Sequence, residues 1–301
     1  MATKAPVKKT IKRPTVAIMG AGSLATFLAV ALDAAGFTIA EIVGRDSPRS
    51  LQRARSLATR VGARGVTTRA AALDATLLWF CVPDREIGAA ASALGGQFLA
   101  RKLAGQEALP RFALHSSGAL CSSELDPLRP AGVAVASAHP LMTFVGGSQP
   151  SLTGVPFALE GDDQAMRVAR RIVRELGGES FRLPKARKAD YHAWATMTSP
   201  LFIAFLVTLE EAAHAAGFTR KDARRKSLPI IRQTLANYAR LGPARSFSGP
   251  LVRGDAKTVA KHLSTLKRHP GVQEVYVALA RAALRGLPVK DRNALKRLVR
   301  A

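Results

Sequence analysis

Lys188 and His192 stand four residues apart at the head of an apolar stretch, KADYHAWATMTSPLF, so on a helix they share one face. Reduction of a carbonyl or imine needs a proton donor beside the heteroatom that accepts it. A lysine can serve if its pKa is brought down, and the like charges of Lys185 and Arg187 would do this for Lys188. Lys188 is therefore a candidate general acid/base, with His192 orienting it or the substrate. The competing reading is a solvated helix-start lysine and a packed histidine. His139, in AHPLMTF, follows an apolar run, and Pro140 fixes the turn behind it. It could donate the proton or only cap its loop. Ser116 and Ser117, in HSSGAL, could hydrogen-bond a ligand amide or a substrate oxygen, or make a turn and nothing more. No GxSxG motif is present, so nucleophilic serine chemistry is not expected. Arg253, in GPLVRGD, could anchor a substrate carboxylate or phosphate, or bond the carbonyls of its own Gly-Pro loop.

These residues need a scaffold, and the first part of the chain supplies one. In TVAIMGAGSLATFLAVALDAAGFTIAEIVGRD, Thr15 to Met19 reads as a parallel strand buried on both faces. Gly20, Ala21, Gly22, Ser23, Leu24 and Ala25 fit GxGxxA; a helix follows from Thr26 to Ala35, then a second strand from Phe37 to Val43. That order is the dinucleotide-binding fingerprint. Gly20 permits the tight turn, Gly22 lets a pyrophosphate approach the backbone, and Ala25 lets the helix lie close to the strand. The helix N-terminus offers free N–H groups and a positive dipole end to the phosphates. An NAD site usually has an acid where the second strand ends. Here Gly44 and Arg45 occupy that place, with Ser47, Arg49 and Arg53 downstream. A guanidinium clamps a 2′-phosphate with paired charged bonds, so NADP is favoured over NAD. Asp46 keeps the NAD alternative open, and a solvated loop is the bland reading of Arg45.

Further strands are expected at Thr76 to Val82, Phe112 to His115, 133 to 144, VPFALEG and SFRLP, with a helix from Gln164 to Leu176. Their ends bring Val82 and Pro83, then Ser116 and Ser117, then His139 to one edge of the sheet, where open α/β folds bind ligands. Val82, Pro83 and Ser116 are thus candidate cofactor contacts, Ser116 and Ser117 being placed to meet a nicotinamide amide or the substrate. After Pro184 the period becomes helical: Lys188 to Ala216 with a kink at Pro200, Arg220 to Leu241 interrupted near Pro229, Ala256 to Lys267 capped by Asp255, Val272 to Arg285 and Asp291 to Arg300. The expected architecture is α/β, a doubly wound and mostly parallel sheet followed by an all-α domain. Its parts are a basic, disordered tail at 1–13, a dinucleotide-binding domain at 14–185 and a helical substrate and dimerisation domain at 186–301.

Composition narrows the classes. The 301 residues carry 45 Lys and Arg against 21 Asp and Glu, a net charge of +24. The two halves contribute +8 and +16, so the charge is spread along the chain. Aromatic residues are only 6%, which leaves few stacking platforms, and nucleic acid is not the favoured partner. Two cysteines, Cys81 and Cys121, form no CxxC or Cys/His pattern, which points away from a metal site and towards a reducing cytoplasm. The longest uncharged stretch, Ala193 to Leu209, falls short of the ~20 residues of a membrane span and reads as a buried helix. Its apolar excess suggests a homodimer interface.

Taken together, GAGSLA, FCVPD, HSSGAL, AHPLMTF, PFALEGD, KADYHAWA and GPLVRGD resemble bacterial Rossmann-like oxidoreductases whose C-terminal half is a helical domain of unknown function. More distantly the layout resembles pyrroline-5-carboxylate reductases, β-hydroxyacid dehydrogenases and deazaflavin-dependent NADP oxidoreductases. The resemblance implies a 6-phosphogluconate-dehydrogenase-like helical domain that dimerises. β-Hydroxyacid dehydrogenases place a lysine at the start of the interdomain helix with a polar partner one turn on, which Lys188 and His192 match in placement. Many members of the closer group have an asparagine where this chain has Pro200, so no amide is available there. The expectation is an NADP-dependent oxidoreductase acting on a small anionic carbonyl, imine or hydroxy compound. A non-catalytic NADP-binding protein is the alternative, and a basic nucleic-acid-associated protein the weaker one.

Overall fold

The computed structural model describes residues 13–106, 108–146 and 151–300. The tail expected at 1–13 lies outside them except for Arg13, which donates to the Gly36 carbonyl, pairs with Glu175 and lies over the Phe37 ring. The chain divides into two compact units, residues 1–195 and 196–301.

The first unit is built on eight strands: β1 (Val16–Met19), β2 (Ile39–Gly44), β3 (Arg64–Thr67), β4 (Leu77–Phe80), β5 (Phe112–His115), β6 (Ala134–Pro140), β7 (Pro156–Gly161) and β8 (Glu179–Arg182). Their spatial order is β3-β2-β1-β4-β5-β6-β7-β8, and every pairing is parallel except β6 with β7. Strands β1 and β4 are buried at every position. Such strands cannot alternate polar and apolar residues, which is why VAIM and LLWF are continuous apolar runs. Alternate side chains serve two cores. Val16, Ile18, Leu77 and Trp79 face helices α1 (Ser23–Ala34), α2 (Pro48–Arg60) and α4 (Asp163–Glu175). Ala17, Met19, Leu78 and Phe80 face α3 (Asp84–Leu103) and the 3₁₀ segment Ser122–Ala131.

The order in which strands are added reverses between β1 and β4, so the connections after these two parallel strands diverge and leave a crevice at the carboxyl edge. The register aligns that edge: Met19 lies opposite Phe80, Phe80 opposite His115, and His115 opposite Ser137. Gly20, Cys81 and Ser116 therefore leave the sheet side by side, with His139 two residues further along β6.

Helix α5 (Lys188–Thr198) begins in the first unit, so Lys188, Tyr191 and His192 belong to it. The long helix expected from Lys188 to Ala216 is two helices. Ser199, at φ −123° and ψ −76°, breaks it, and α6 (Pro200–Ala215) starts on Pro200, where a missing N–H costs nothing. Pro229, expected to interrupt the next helix, does not. Helix α7 (Arg220–Ser246) runs through it and is broken instead at Gly242, whose φ of 75° and ψ of 173° are non-helical. Asp255 caps α9 (Ala256–Leu266) as expected, accepting from the Thr258 N–H at 3.0 Å. The core of the second unit is made by α9, α10 (Pro270–Gly286) and α11 (Arg292–Leu298). The apolar stretch of α6 is not the buried helix its composition suggests: no residue of α6 is buried within a single chain. Among the described residues, 185–215 is the one helical stretch long and apolar enough to cross a membrane by length and composition.

Candidate functional site

The glycine turn is shaped by its neighbours. Gly20 has a φ of 113°, and a Cβ there would lie 2.4 Å from the Cys81 carbonyl oxygen, so only glycine fits between β1 and β4. Gly22 meets nothing within 4 Å where its Cβ would be, which leaves open space above the turn. Gly22 is also the N-cap of α1 and has no side chain to occupy the first N–H groups. The donors of Ser23, Leu24 and Ala25 remain available at a positive helix end, and Ala25 is fully buried against the sheet. A dinucleotide phosphate fits this arrangement of free donors and missing Cβ atoms.

Arg45, the first residue beyond β2, is 70% exposed and lies 3.4 Å from Glu86. Asp46, the alternative ribose acid, already accepts from Thr68 and pairs with Arg69; Thr67 hydrogen bonding leads the causes that lower its pKa. Ser47 is the N-cap of α2 and accepts from the Ser50 N–H. Val82 packs against the second core, and Pro83 is the N-cap of α3.

Ser116 and Ser117 have hydroxyls that are committed internally. Ser116 Oγ accepts from the Trp79 indole N–H at 2.9 Å. Ser117 Oγ donates to Asp84 at 2.7 Å and accepts from the N–H groups of Ala119 and Leu120. His115, fully buried, braces the same loop from within. Its Nδ1 accepts from the Ser117 N–H at 3.1 Å, and its Nε2 meets the Cys121 carbonyl at 3.0 Å. A carbonyl cannot donate and an amide N–H cannot accept, so the ring is neutral with its proton on Nε2. Burial pushes its pKa down to about 4. Glu160, on β7, accepts from both the N–H and the hydroxyl of Ser122 and closes the far end of the loop.

Lys188 is 2% exposed. Its Nζ donates to the Ser117 carbonyl at 2.9 Å and to Ser137 Oγ at 2.6 Å. Its pKa is lowered, as expected, but by burial; Glu160, Cys121 and Asp84 pull it the other way. Arg187, expected to act by like charge, pairs instead with Asp190 in solvent. Among the described residues no hydrogen bond joins His192 to Lys188. It leans on His139, with ring centroids 6.1 Å apart and nearly perpendicular. His139 Nδ1 meets the Tyr191 hydroxyl at 2.7 Å. Burial first, then the charges of Lys188, His192 and His115, push His139 down to about 4, while burial pushes the Tyr191 phenol up to about 12. Both are neutral near pH 7. Gly118 sits against the two imidazoles: a Cβ there would lie 2.5 Å from His192 Cδ2 and 2.8 Å from His139 Nε2.

The first unit thus gathers His139, His192, Lys188, Ser116 and Ser117, along with Tyr191, His115, Ser137 and Gly118, which the sequence reading did not assign. Two of these had a signal. Ser137 lies two residues before His139 and so shares its face of β6. Tyr191 lies three residues after Lys188 on α5. Arg253 is exposed at the end of the short helix α8 (Pro250–Arg253) and belongs to the second unit.

Comparison with known proteins agrees with this architecture. Residues 155–283 match the family described as a domain of unknown function, DUF2520. No curated protein matches the chain. Among solved structures, a protein described as "putative NADP oxidoreductase BF3122" from Bacteroides fragilis is 23% identical, with a TM-score of 0.69 over 89% of this chain and 97% of that one. Protein TM1727 from Thermotoga maritima is 22% identical, with a TM-score of 0.67 over 89% and 96%. A pyrroline-5-carboxylate reductase from Coxiella burnetii is 16% identical, with a TM-score of 0.56 over 96% and 100%. The chain therefore shares a Rossmann-like fold with these solved proteins, and residues 155–283 of it match DUF2520.

Proposed function

We propose that the protein is an NADP-dependent oxidoreductase acting on a small anionic carbonyl, imine or hydroxy compound. One observation carries the reading: an uncapped glycine turn and His139, which gathers Tyr191 and His192 of α5, lie along the edge of one mostly parallel sheet. The bound dinucleotide would supply or accept the hydride. Gly20, Gly22 and the N–H groups of residues 23–25 would hold its phosphates. Arg45 would exchange Glu86 for the 2′-phosphate, and the commitment of Asp46 to Thr68 and Arg69 favours NADP over NAD.

His139 is the better proton donor of the candidates. The Lys188 ammonium is enclosed and already bonded to two oxygens. His139 has one nitrogen held by the Tyr191 hydroxyl and the other facing Gly118. With Tyr191 donating to Nδ1, the imidazole proton sits on Nε2, where it can pass to the heteroatom anion left by hydride transfer; the Tyr191 proton moves to Nδ1, and a proton from solvent restores the phenol. His192 orients the substrate from the opposite side. The second copy of a homodimer would cover the apolar face of α6 and α7, where Leu201, Ile203, Ile230 and Tyr238 are each more than half exposed.

Calorimetric titration with NADPH and then NADH tests the cofactor assignment. NADPH should bind tightly, and Arg45→Ala should weaken it by about tenfold or more while leaving NADH unchanged. Absence of binding by either nucleotide would reduce GAGSLA to a structural turn and remove the oxidoreductase reading.

A further inference from the structure

The peptide joining Ser117 to Gly118 is heavily bonded at its oxygen and unbonded at its nitrogen. The Ser117 carbonyl accepts from Lys188 Nζ at 2.9 Å and from Ser137 Oγ at 3.1 Å. The ammonium also donates to Ser137 Oγ at 2.6 Å, so cation, hydroxyl and carbonyl form a closed triangle. All three lie in the interior, with Ser137 at 0% and Lys188 at 2% exposure. The other N–H groups of the loop are used: that of Ser117 by His115 Nδ1, and those of Ala119 and Leu120 by Ser117 Oγ. Gly118 is buried too, yet its N–H has no acceptor among the described residues. A buried N–H without a partner is rare, because the donor has given up its bonds to water and gained none in return.

The peptide is trans, so this N–H points away from Lys188. It is carried by the residue against which His139 Nε2 and His192 lean. A cation on the carbonyl draws electron density through the amide and makes the N–H at the other end a stronger donor, since linked hydrogen bonds polarise one another. A hydroxyl alone would have satisfied the carbonyl; a buried lysine adds a charge that the fold must otherwise bear as desolvation.

We propose that the Gly118 N–H, polarised through its own peptide by the Lys188–Ser137 pair, is the donor that binds an oxygen of the substrate, in the manner of an oxyanion hole. This deepens the oxidoreductase reading and names an anionic or carbonyl oxygen as the feature recognised. Lys188 and Ser137 are then positioning residues and not proton donors.

The test reads the amide directly and needs no turnover. The chain has two Ser-Gly pairs, Ser117–Gly118 and Ser248–Gly249, so ¹³C-carbonyl serine with ¹⁵N-glycine labelling isolates two amide resonances. Oxalate, added to the full chain with and without NADP, should shift the Gly118 resonance in a saturable way. Lys188→Met and Ser137→Ala should move the free Gly118 ¹⁵N resonance upfield. Lys188→Met should also weaken oxalate by roughly fivefold or more. Ser137→Ala removes a single oxygen and carries the test if Lys188→Met does not fold. A Gly118 resonance that ignores oxalate, or that responds with equal affinity in wild type and both variants, overturns the proposal. NADPH calorimetry on the same samples separates the two readings. Nucleotide binding without a Gly118 response removes the oxyanion donor alone, and a Gly118 response without nucleotide binding removes the oxidoreductase reading alone.

Discussion

Acidification from pH 7 to pH 5 should destabilise the first unit through two buried imidazoles. His115 and His139 both have folded pKa values pushed down to about 4, against an ordinary value of 6.5. The unfolded chain then binds more protons than the folded one between those values, so stability rises with pH across the window and is lost as pH falls. Each ring contributes about 2 kcal/mol between pH 7 and pH 5, and the pair about 4 kcal/mol. That is a large share of the roughly 5–15 kcal/mol that holds a domain folded. The carboxylates with lowered pKa, such as Asp46, Glu175 and Asp222, start from ordinary values of 3.8 to 4.5 and act mainly below this window. Trp79 is fully buried between the two cores' strands and Trp194 is exposed, so Trp194→Phe leaves one fluorescent reporter of the sheet. Urea unfolding of that protein should show its midpoint falling by more than about 1 M between pH 7 and pH 5. His139→Gln, which cannot titrate, should remove about half of the difference. Equal midpoints at the two pH values would refute the neutral states assigned to His115 and His139.

Gly20→Ala should cost roughly 2–3 kcal/mol in urea unfolding, because the new Cβ meets the Cys81 carbonyl at a φ of 113°. Gly22→Ala meets no atom and should unfold like the wild type while losing at least about tenfold in NADPH affinity by calorimetry; equal losses of stability in the two variants would count against this division of roles. Ser117→Ala removes one bond to Asp84 and two from backbone N–H groups, and should lower stability by about 1–3 kcal/mol in the same unfolding assay. Ile203→Glu places a charge on the exposed face of α6 and should convert a dimer to monomer in light scattering, without changing the unfolding midpoint of monomer.

The sheet was legible because its strands are buried on both faces. VAIM and LLWF are uninterrupted apolar runs, and period alone marks them. Strand β3 was not legible: RGVT is partly exposed at the sheet edge and carries no apolar run. The strand-turn-helix around Gly20 was readable because every contact that defines it is either local or with the adjacent β4. The acid cluster was only half readable. His139 and Lys188 were recognisable by residue type, but the partner of each depends on pairings that no spacing reveals. Lys188 lies 71 residues from the carbonyl it holds, and Tyr191 lies 52 from His139. The kink assigned to Pro229 failed because proline lacks an N–H but tolerates a continuing helix, whereas Gly242 has the conformational freedom to leave it.

The loop from His115 to Ser122 is tied down by residues far from it along the chain: Asp84 at a separation of 33, Glu160 at 38 and Lys188 at 71. Contacts of such separation can form only after the intervening chain has been ordered, because loop closure must be met first. The glycine turn draws only on residues up to Cys81, all of which precede that loop in the chain. The two halves of one edge therefore mature at different times during folding. A chain still being synthesised has all the residues of its glycine turn well before α5 has emerged, and the loop that carries Gly118 takes its final shape only when that helix docks.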